Sequence, residues 1–188
     1  MVIGITGNSG SGKSYISDII ASYGYKKIDM DEIAHSIYDK RGDCLKEIRD
    51  NFGDIVFEGE RLMRKALGEI VFSNPKKLEL LNQITHKYIM EEAKAQMKDE
   101  TSILLDAPLL IDTVFEKLCD KIILVTCDND TKIKRIMARD NISYQYAMNR
   151  IKSQPNDTYL STRCHYIVDN SEGKSPKKDI EKILKEIQ

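Results

Sequence analysis

The chain lacks several features that would assign it to a class. No apolar run approaches the ~18 residues of a bilayer span, so no membrane association is expected. Neither charge dominates: 29 Lys and Arg stand against 30 Asp and Glu, a formal net charge of -1. Binding along a polyanion draws on a basic surplus, so nucleic acid is not the expected partner. The four cysteines, Cys44, Cys119, Cys127 and Cys164, have no C-x-x-C spacing, which argues against a zinc site and against a disulfide framework. There are only three histidines, His35, His86 and His165, and no internal repeat or low-complexity tract. The N-terminus enters an apolar strand pattern at once, leaving no room for a signal peptide, so the cytosol is the expected compartment. With 188 residues, one domain, or a core with a small insertion, is expected.

One stretch carries chemistry on its face. Gly7-Asn8-Ser9-Gly10-Ser11-Gly12-Lys13-Ser14 reads G-x-x-x-x-G-K-[ST], the phosphate-binding loop. Glycines let the backbone curl so that successive amides point at an anion, and the helix that follows adds its positive end. Lys13 is the residue expected to reach the β- and γ-phosphates of a nucleotide, and the Ser14 hydroxyl to hold Mg²⁺. The flanks agree with the motif. Val2–Thr6 is a short apolar run suited to a buried strand, and Ile16, Ile19, Ile20 and Tyr23 fall on one helical face. A flexible Gly/Ser linker would have neither.

Further along, Tyr25–Ile28 leads into Asp29-Met30-Asp31, a short second strand ending in D-x-D. Side chains at the carboxyl ends of parallel strands face the ligand crevice, and period-two geometry sends Asp29 and Asp31 the same way. One carboxylate would orient a substrate hydroxyl and accept its proton, and the other would touch Mg²⁺ through water. The competing reading is that Asp31 only caps a helix beginning at Glu32. Ile33, Ile37 and Tyr38 suggest a helix ended by Gly42, and Leu45, Ile48 and Phe52 another closed by Gly53. Glu58-Gly59-Glu60 is a turn, and from Leu62 to Met97 the pattern is helical, with Pro75 at a helix start. A plain α/β crossover needs about a dozen residues, so this stretch has the length of an insertion that receives a substrate.

Thr101–Asp106 is the clearest inner strand, and Asp106 at its end reads either as a magnesium-associated carboxylate or as a capping residue. Leu109 and Leu110 would line an apolar pocket or close the core. Lys121–Thr126 is the fourth strand. A helix from Asp130 carries Arg135 and Arg139 on one face, flanked by Lys132 and Lys134. A second helix after Ser143 would complete a hairpin lid, broken at Ser153-Gln154-Pro155-Asn156. Two arginines there would close over a triphosphate, or form a solvated basic face. His165–Val168 is the fifth strand, and Ile180, Ile183, Leu184 and Ile187 mark a last helix. Strands alternating with helices predict a three-layer α/β/α fold around a five-stranded parallel sheet.

Several segments together resemble the dephospho-CoA kinase family, a branch of the P-loop kinases. They are Ile28-Asp29-Met30-Asp31-Glu32-Ile33-Ala34, Leu62–Leu67 running on to Val71-Phe72, and Leu81–His86. Pro108-Leu109-Leu110, Arg135 to Arg139-Asp140, Arg150, Gln154 and Asp169-Asn170 follow in the same order. The resemblance implies transfer of the γ-phosphoryl of ATP to the ribose 3′-hydroxyl of dephospho-CoA, with ATP and Mg²⁺ required. It implies Asp31 as the catalytic carboxylate, acting with Lys13 and Arg139, and a lid bearing Arg135 and Arg139. Acceptor contacts would come from Asp31, Arg64, His86, Leu109 and Leu110. On this reading 1–188 is one kinase domain, with a core at about 1–40 and 101–188, an acceptor-binding insertion at about 43–98 and a lid at about 130–155, and a monomer is expected. The chain departs from the family's usual residues at His35 (Arg), Lys87 (Pro), Asp112 (Glu), Lys132 (often Gln) and His165 (Asp). The alternative is another P-loop small-molecule kinase, of shikimate, gluconate or nucleoside monophosphate type. A switch GTPase is disfavoured: Asp39–Gly42 matches D-x-x-G only within a helical pattern, and no N-K-x-D segment occurs.

Overall fold

Val2–Thr6 forms β1, the middle strand of the sheet. Its alternation separates two faces: Ile3 and Ile5 are fully buried on one, and Gly4 looks the other way. A Cβ on Gly4 would stand 2.6 Å from Leu110 Cδ2 and from Cys119 Sγ, so only glycine leaves room for the segment packed there. The computed structural model describes residues 1–187, in two compact units: residues 1–29 with the chain from Asp99 onward, and Met30–Lys98.

In the first unit β1 leads through the glycine loop into α1 (Lys13–Ser22), and Gly24, with φ +91°, turns the chain into β2 (Lys26–Asp29). The second unit follows. It contains α2 (Met30–Lys40), α3 (Gly42–Phe52), a small hairpin of β3 (Phe57–Glu58) and β4 (Arg61–Leu62), then α4 (Arg64–Phe72) and α5 (Pro75–Met97). The chain returns to the first unit with β5 (Ile103–Asp106), β6 (Lys121–Thr126), α6 (Asn129–Asp140), α7 (Tyr144–Lys152), α8 (Asp157–Arg163), β7 (Tyr166–Asp169) and α9 (Pro176–Glu186).

The five long strands lie in the order β2-β5-β1-β6-β7, and every pair is parallel. The chain moves from β1 toward β2 on one side and, after β5, crosses to β6 on the other. Ligands in open parallel sheets bind at such a reversal, outside the carboxyl ends of the strands. Here that place is the end of β1, where the glycine loop begins. α1 and α9 cover the Ile3/Ile5 face, packing Ile16, Ile20, Ile180, Ile183 and Leu184 against Leu104, Ile123 and Val168. Each such side chain contributes about 1.5–3 kcal/mol relative to exposure. α6 and α7 share a smaller cluster around Ile133, Ile136 and Ala147.

The parallel sheet and its helical layers agree with expectation, and several details do not. The strand pattern of Asp29-Met30-Asp31 stops at Asp29, and Asp31 lies in the first turn of α2. Neither alternation with Asp29 nor capping of a helix from Glu32 describes it. Gly42 opens α3 rather than ending α2; the break is at Arg41, whose guanidinium bridges Asp43 and Glu91. The 43–98 stretch is interrupted by the β3–β4 hairpin, turned at Gly59 with φ +60°. α8, capped by Asn156, stands where no helix was expected.

Acid should unfold the protein through carboxylates held ionised by the fold. Asp128 caps α6 by accepting from Thr131 N–H (2.8 Å) and the Thr131 hydroxyl (2.7 Å), which hold it down to about 2. The Arg41 guanidinium holds Asp43 down to about 2. Folded values below the unfolded ~3.9 mean that this stabilisation is fully present above about pH 4 and is lost as pH falls toward 2. Thermal melts across pH should show a flat Tm above about pH 5 and a decline below about pH 4. Asp128→Asn keeps a capping acceptor but should make that decline shallower.

Candidate active site

The loop between β1 and α1 is built on left-handed glycines: φ is +80° at Gly10 and +84° at Gly12, which is also the N-cap of α1. Gly12 offers no side chain to the first turn of α1, and that turn contains no acidic residue. The positive end of the helix is therefore left for an anion from outside. The Ser11 hydroxyl is buried without a hydrogen-bond partner, and a buried polar group of this kind calls for one. These features fit a nucleotide's phosphates. Gly10 has a second constraint: a Cβ there would lie 2.7 Å from the Lys132 carbonyl and 2.9 Å from its Cα. Both are backbone atoms, and left-handed geometry alone costs about 1–2 kcal/mol for an L-residue. Gly10→Ala should lower Tm and weaken ATP binding together, as melting and calorimetry on one sample would register.

Behind the loop, buried Asp106 takes an ion pair from Lys13 on one carboxylate oxygen. Its other oxygen accepts from the fully buried Ser17 hydroxyl at 2.8 Å, with the Lys27 ammonium 3.5 Å away. Lys13 and Ser17 are one helical turn apart on α1, so both reach the end of β5. Asp29 stands opposite Asp106 in the β2–β5 register. Among the described residues no group of three or more His, Cys, Asp or Glu is arranged to hold a metal ion. Ser14 with one of these carboxylates would offer Mg²⁺ few protein donors and leave most of its coordination to phosphates and water, as that ion prefers.

The two hairpin arginines have different surroundings. Arg135 points at the outside of the loop, donating to the carbonyls of Gly10 and Ser11 (both 3.2 Å) and of Asn170 (3.0 Å). It braces the loop, and Asn170 adds a side-chain bond to the Ser11 carbonyl at 2.8 Å. Arg139 is exposed and forms a two-point pair with Asp140, which also takes Arg150. The Arg139 bond, the larger influence, holds Asp140 below the usual carboxylate range. Of the two leucines, Leu110 is fully buried against Gly4 and closes the core, whereas Leu109 is 71% exposed.

In the helical unit Asp31 and Glu32 occupy the first turn of α2. Arg64 donates to the His35 carbonyl (3.2 Å), pairs with Asp39 (3.4 Å) and lies over the Tyr38 ring at 5.1 Å. These side chains border a cavity of about 780 Å³ with Arg61 and Lys65. His86 is partly buried on α5, and burial lowers its pKa, favouring the neutral ring. His165 receives the Ile122 N–H on its ring at 3.2 Å, a structural bond beside β6.

A family model described as dephospho-CoA kinase matches residues 1–175. The chain belongs to the dephospho-CoA kinase family. The dephospho-CoA kinase of Fusobacterium nucleatum is 37% identical over 174 residues, covering 91% of this chain and 90% of that one. A protein of known structure from Thermus thermophilus superposes with a TM-score of 0.84 at 27% identity, covering 100% and 98% of the two chains. The dephospho-CoA kinase of Campylobacter jejuni superposes with a TM-score of 0.60 at 29% identity, covering 100% and 97%. Membership in the dephospho-CoA kinase family agrees with the all-parallel sheet and the loop at its reversal. Among the described residues no helix is long and apolar enough to cross a membrane.

Sequence reasoning missed three contacts around the glycine loop: Ser17 on Asp106, Arg135 on the loop carbonyls, and Gln154 on Ser9. Arg135 and Gln154 carried a signal, as positions matching the family, and Ser17 carried none.

Proposed function

We propose that this chain transfers the γ-phosphoryl group of ATP to the ribose 3′-hydroxyl of dephospho-CoA, giving coenzyme A and ADP, and that it does so in the cytoplasm. The observation that carries this reading is the family match over residues 1–175, which takes in both the glycine loop and the whole helical unit.

The triphosphate lies along the loop amides and the open end of α1. Lys13 leaves Asp106 for the β- and γ-oxygens, and the Ser17 hydroxyl and the more distant Lys27 ammonium remain as the partial compensation of the buried Asp106 carboxylate. Mg²⁺ on Ser14, with Asp29 or Asp106 through water, would neutralise charge on the β- and γ-phosphates. Arg139 exchanges Asp140 for phosphate oxygens as the hairpin of α6 and α7 closes, and closure limits loss of ATP to water. Asp31 aligns the 3′-hydroxyl. An alcohol is far too weak an acid to give its proton to a carboxylate early, so Asp31 takes the proton late, as the bond to phosphorus forms. The helical unit holds the acceptor, with Arg64 and His86 contributing, and Leu109 offers an exposed apolar contact.

The test is an acceptor panel with ATP and Mg²⁺: dephospho-CoA, shikimate, gluconate and nucleoside monophosphates. ADP release that depends on dephospho-CoA alone is the expected result. Equal or faster turnover with another acceptor would replace this reading.

A further inference from the structure

We propose that the strap joining α7 to α8, with the first residue of α8, Asp157, is a latch that sets the mouth of the phosphate loop and ties the loop to α6, with Gln154 and Asp157 as positioning residues. The inference rests on the reading that this loop takes ATP. The Gln154 amide engages both polar groups of Ser9. Its oxygen accepts the Ser9 N–H at 3.0 Å, and its nitrogen donates to the Ser9 hydroxyl at 3.1 Å. The Asn8 side chain donates to the Pro155 carbonyl (2.8 Å) and to Asp157 Oδ1 (2.6 Å). The other Asp157 oxygen is ion-paired with Lys132, a lysine only 3% exposed on α6. Residues about 145 positions apart thus fix the first two variable positions of the loop.

The strap borders a cavity of about 360 Å³ that reaches Asn8 and Lys132, so its grip on the loop comes from these polar bonds more than from packing. Asn8 and Ser9 immediately precede the amides from Gly10 to Ser14. A displacement of about 1 Å at the mouth would misplace those amides, and errors of that size cost up to about 100-fold in catalysis. Asp157 and Lys132 carry the same restraint to α6, the helix that holds Arg135 and Arg139. Filling of the loop and the position of the basic helix are therefore coupled. Lys132, buried on α6, makes the link ionic.

The test is calorimetric titration with ATP alone, with Tm recorded on each sample. Gln154→Ala should weaken ATP binding about tenfold, as when the competent loop falls to about a tenth of the population, while the affinity for dephospho-CoA alone holds and Tm falls by no more than a few degrees. Should Gln154→Ala not fold, Gln154→Asn, one methylene short of Ser9, serves the same purpose. Asp157→Asn and Lys132→Gln should each weaken ATP binding severalfold, and the double variant no more than either single. Unchanged ATP affinity in the Gln154 variant, a loss that only tracks a falling Tm, or additive losses in the double variant would overturn the latch. Because no acceptor is present, an enzyme that failed to phosphorylate dephospho-CoA would leave this measurement intact. A failed latch would likewise leave the transfer reaction standing.

Discussion

Asp31→Asn is expected to lose about 10²- to 10⁴-fold in kcat, the range of general acid–base contributions, with ATP affinity unchanged. The substitution keeps the size of the side chain and removes its capacity to take a proton. It sits in the first turn of α2, whereas Arg135, Asn170, Gln154 and Asp106, which hold the phosphate loop, lie on other elements. A loss confined to kcat is what an aligning and proton-accepting carboxylate predicts. A rise in the KM for dephospho-CoA with kcat preserved would make Asp31 a binding residue only. Near-normal turnover would remove it from the reaction. Steady-state kinetics with each substrate varied in turn separates these results.

Lys13→Ala should lose about 10²- to 10³-fold in kcat/KM for ATP, as expected for removing one preorganised donor from a transferring phosphoryl group. It should also lower Tm. Asp106 is 2% exposed, and its pair with Lys13 is replaced only by Ser17 and by Lys27 at 3.5 Å. A buried carboxylate stripped of its partner is destabilising. The two consequences can be separated. Lys13→Ala combined with Asp106→Asn removes the orphaned charge, so Tm should recover while activity does not. Recovery of both would mean that Lys13 acts only as the counter-ion of Asp106. Full activity in the single variant would discredit the loop as the phosphate site.

Much of this arrangement was legible in the sequence because it is local. A five-residue apolar strand, an eight-residue loop and a helical stripe fall within 23 residues, and the structure places them as β1, the glycine loop and α1. Pro75 announced the start of α5, and the structure shows Asn74 capping it through Lys76 and Lys77. Asp29-Met30-Asp31 was misread because alternation was carried past the point where the chain turns helical. α8 is only seven residues long with one buried residue, Leu160, and so gives no stripe to detect. β3 and β4 are two residues each, too short for alternation to register.

The rest depends on contacts between distant parts of the chain. The spacing of Arg135 and Arg139 placed both on one helical face, yet Arg135 turns to the carbonyls of Gly10 and Ser11 while Arg139 stays at the surface with Asp140. Backbone carbonyls are invisible to motif reasoning, since every residue has one. Ser17 looked like an ordinary helix residue until β5 brought Asp106 beside it. Gln154 looked like part of a break between helices, and its purpose emerged only with Ser9 across from it.

The most direct measurement is the product formed when the protein is mixed with ATP, Mg²⁺ and dephospho-CoA. Mass spectrometry and phosphorus NMR should find one added phosphate, as a monoester on the ribose 3′-oxygen, with one ADP per product. ADP formed without a phosphorylated acceptor, or phosphate at any other oxygen, would contradict the account.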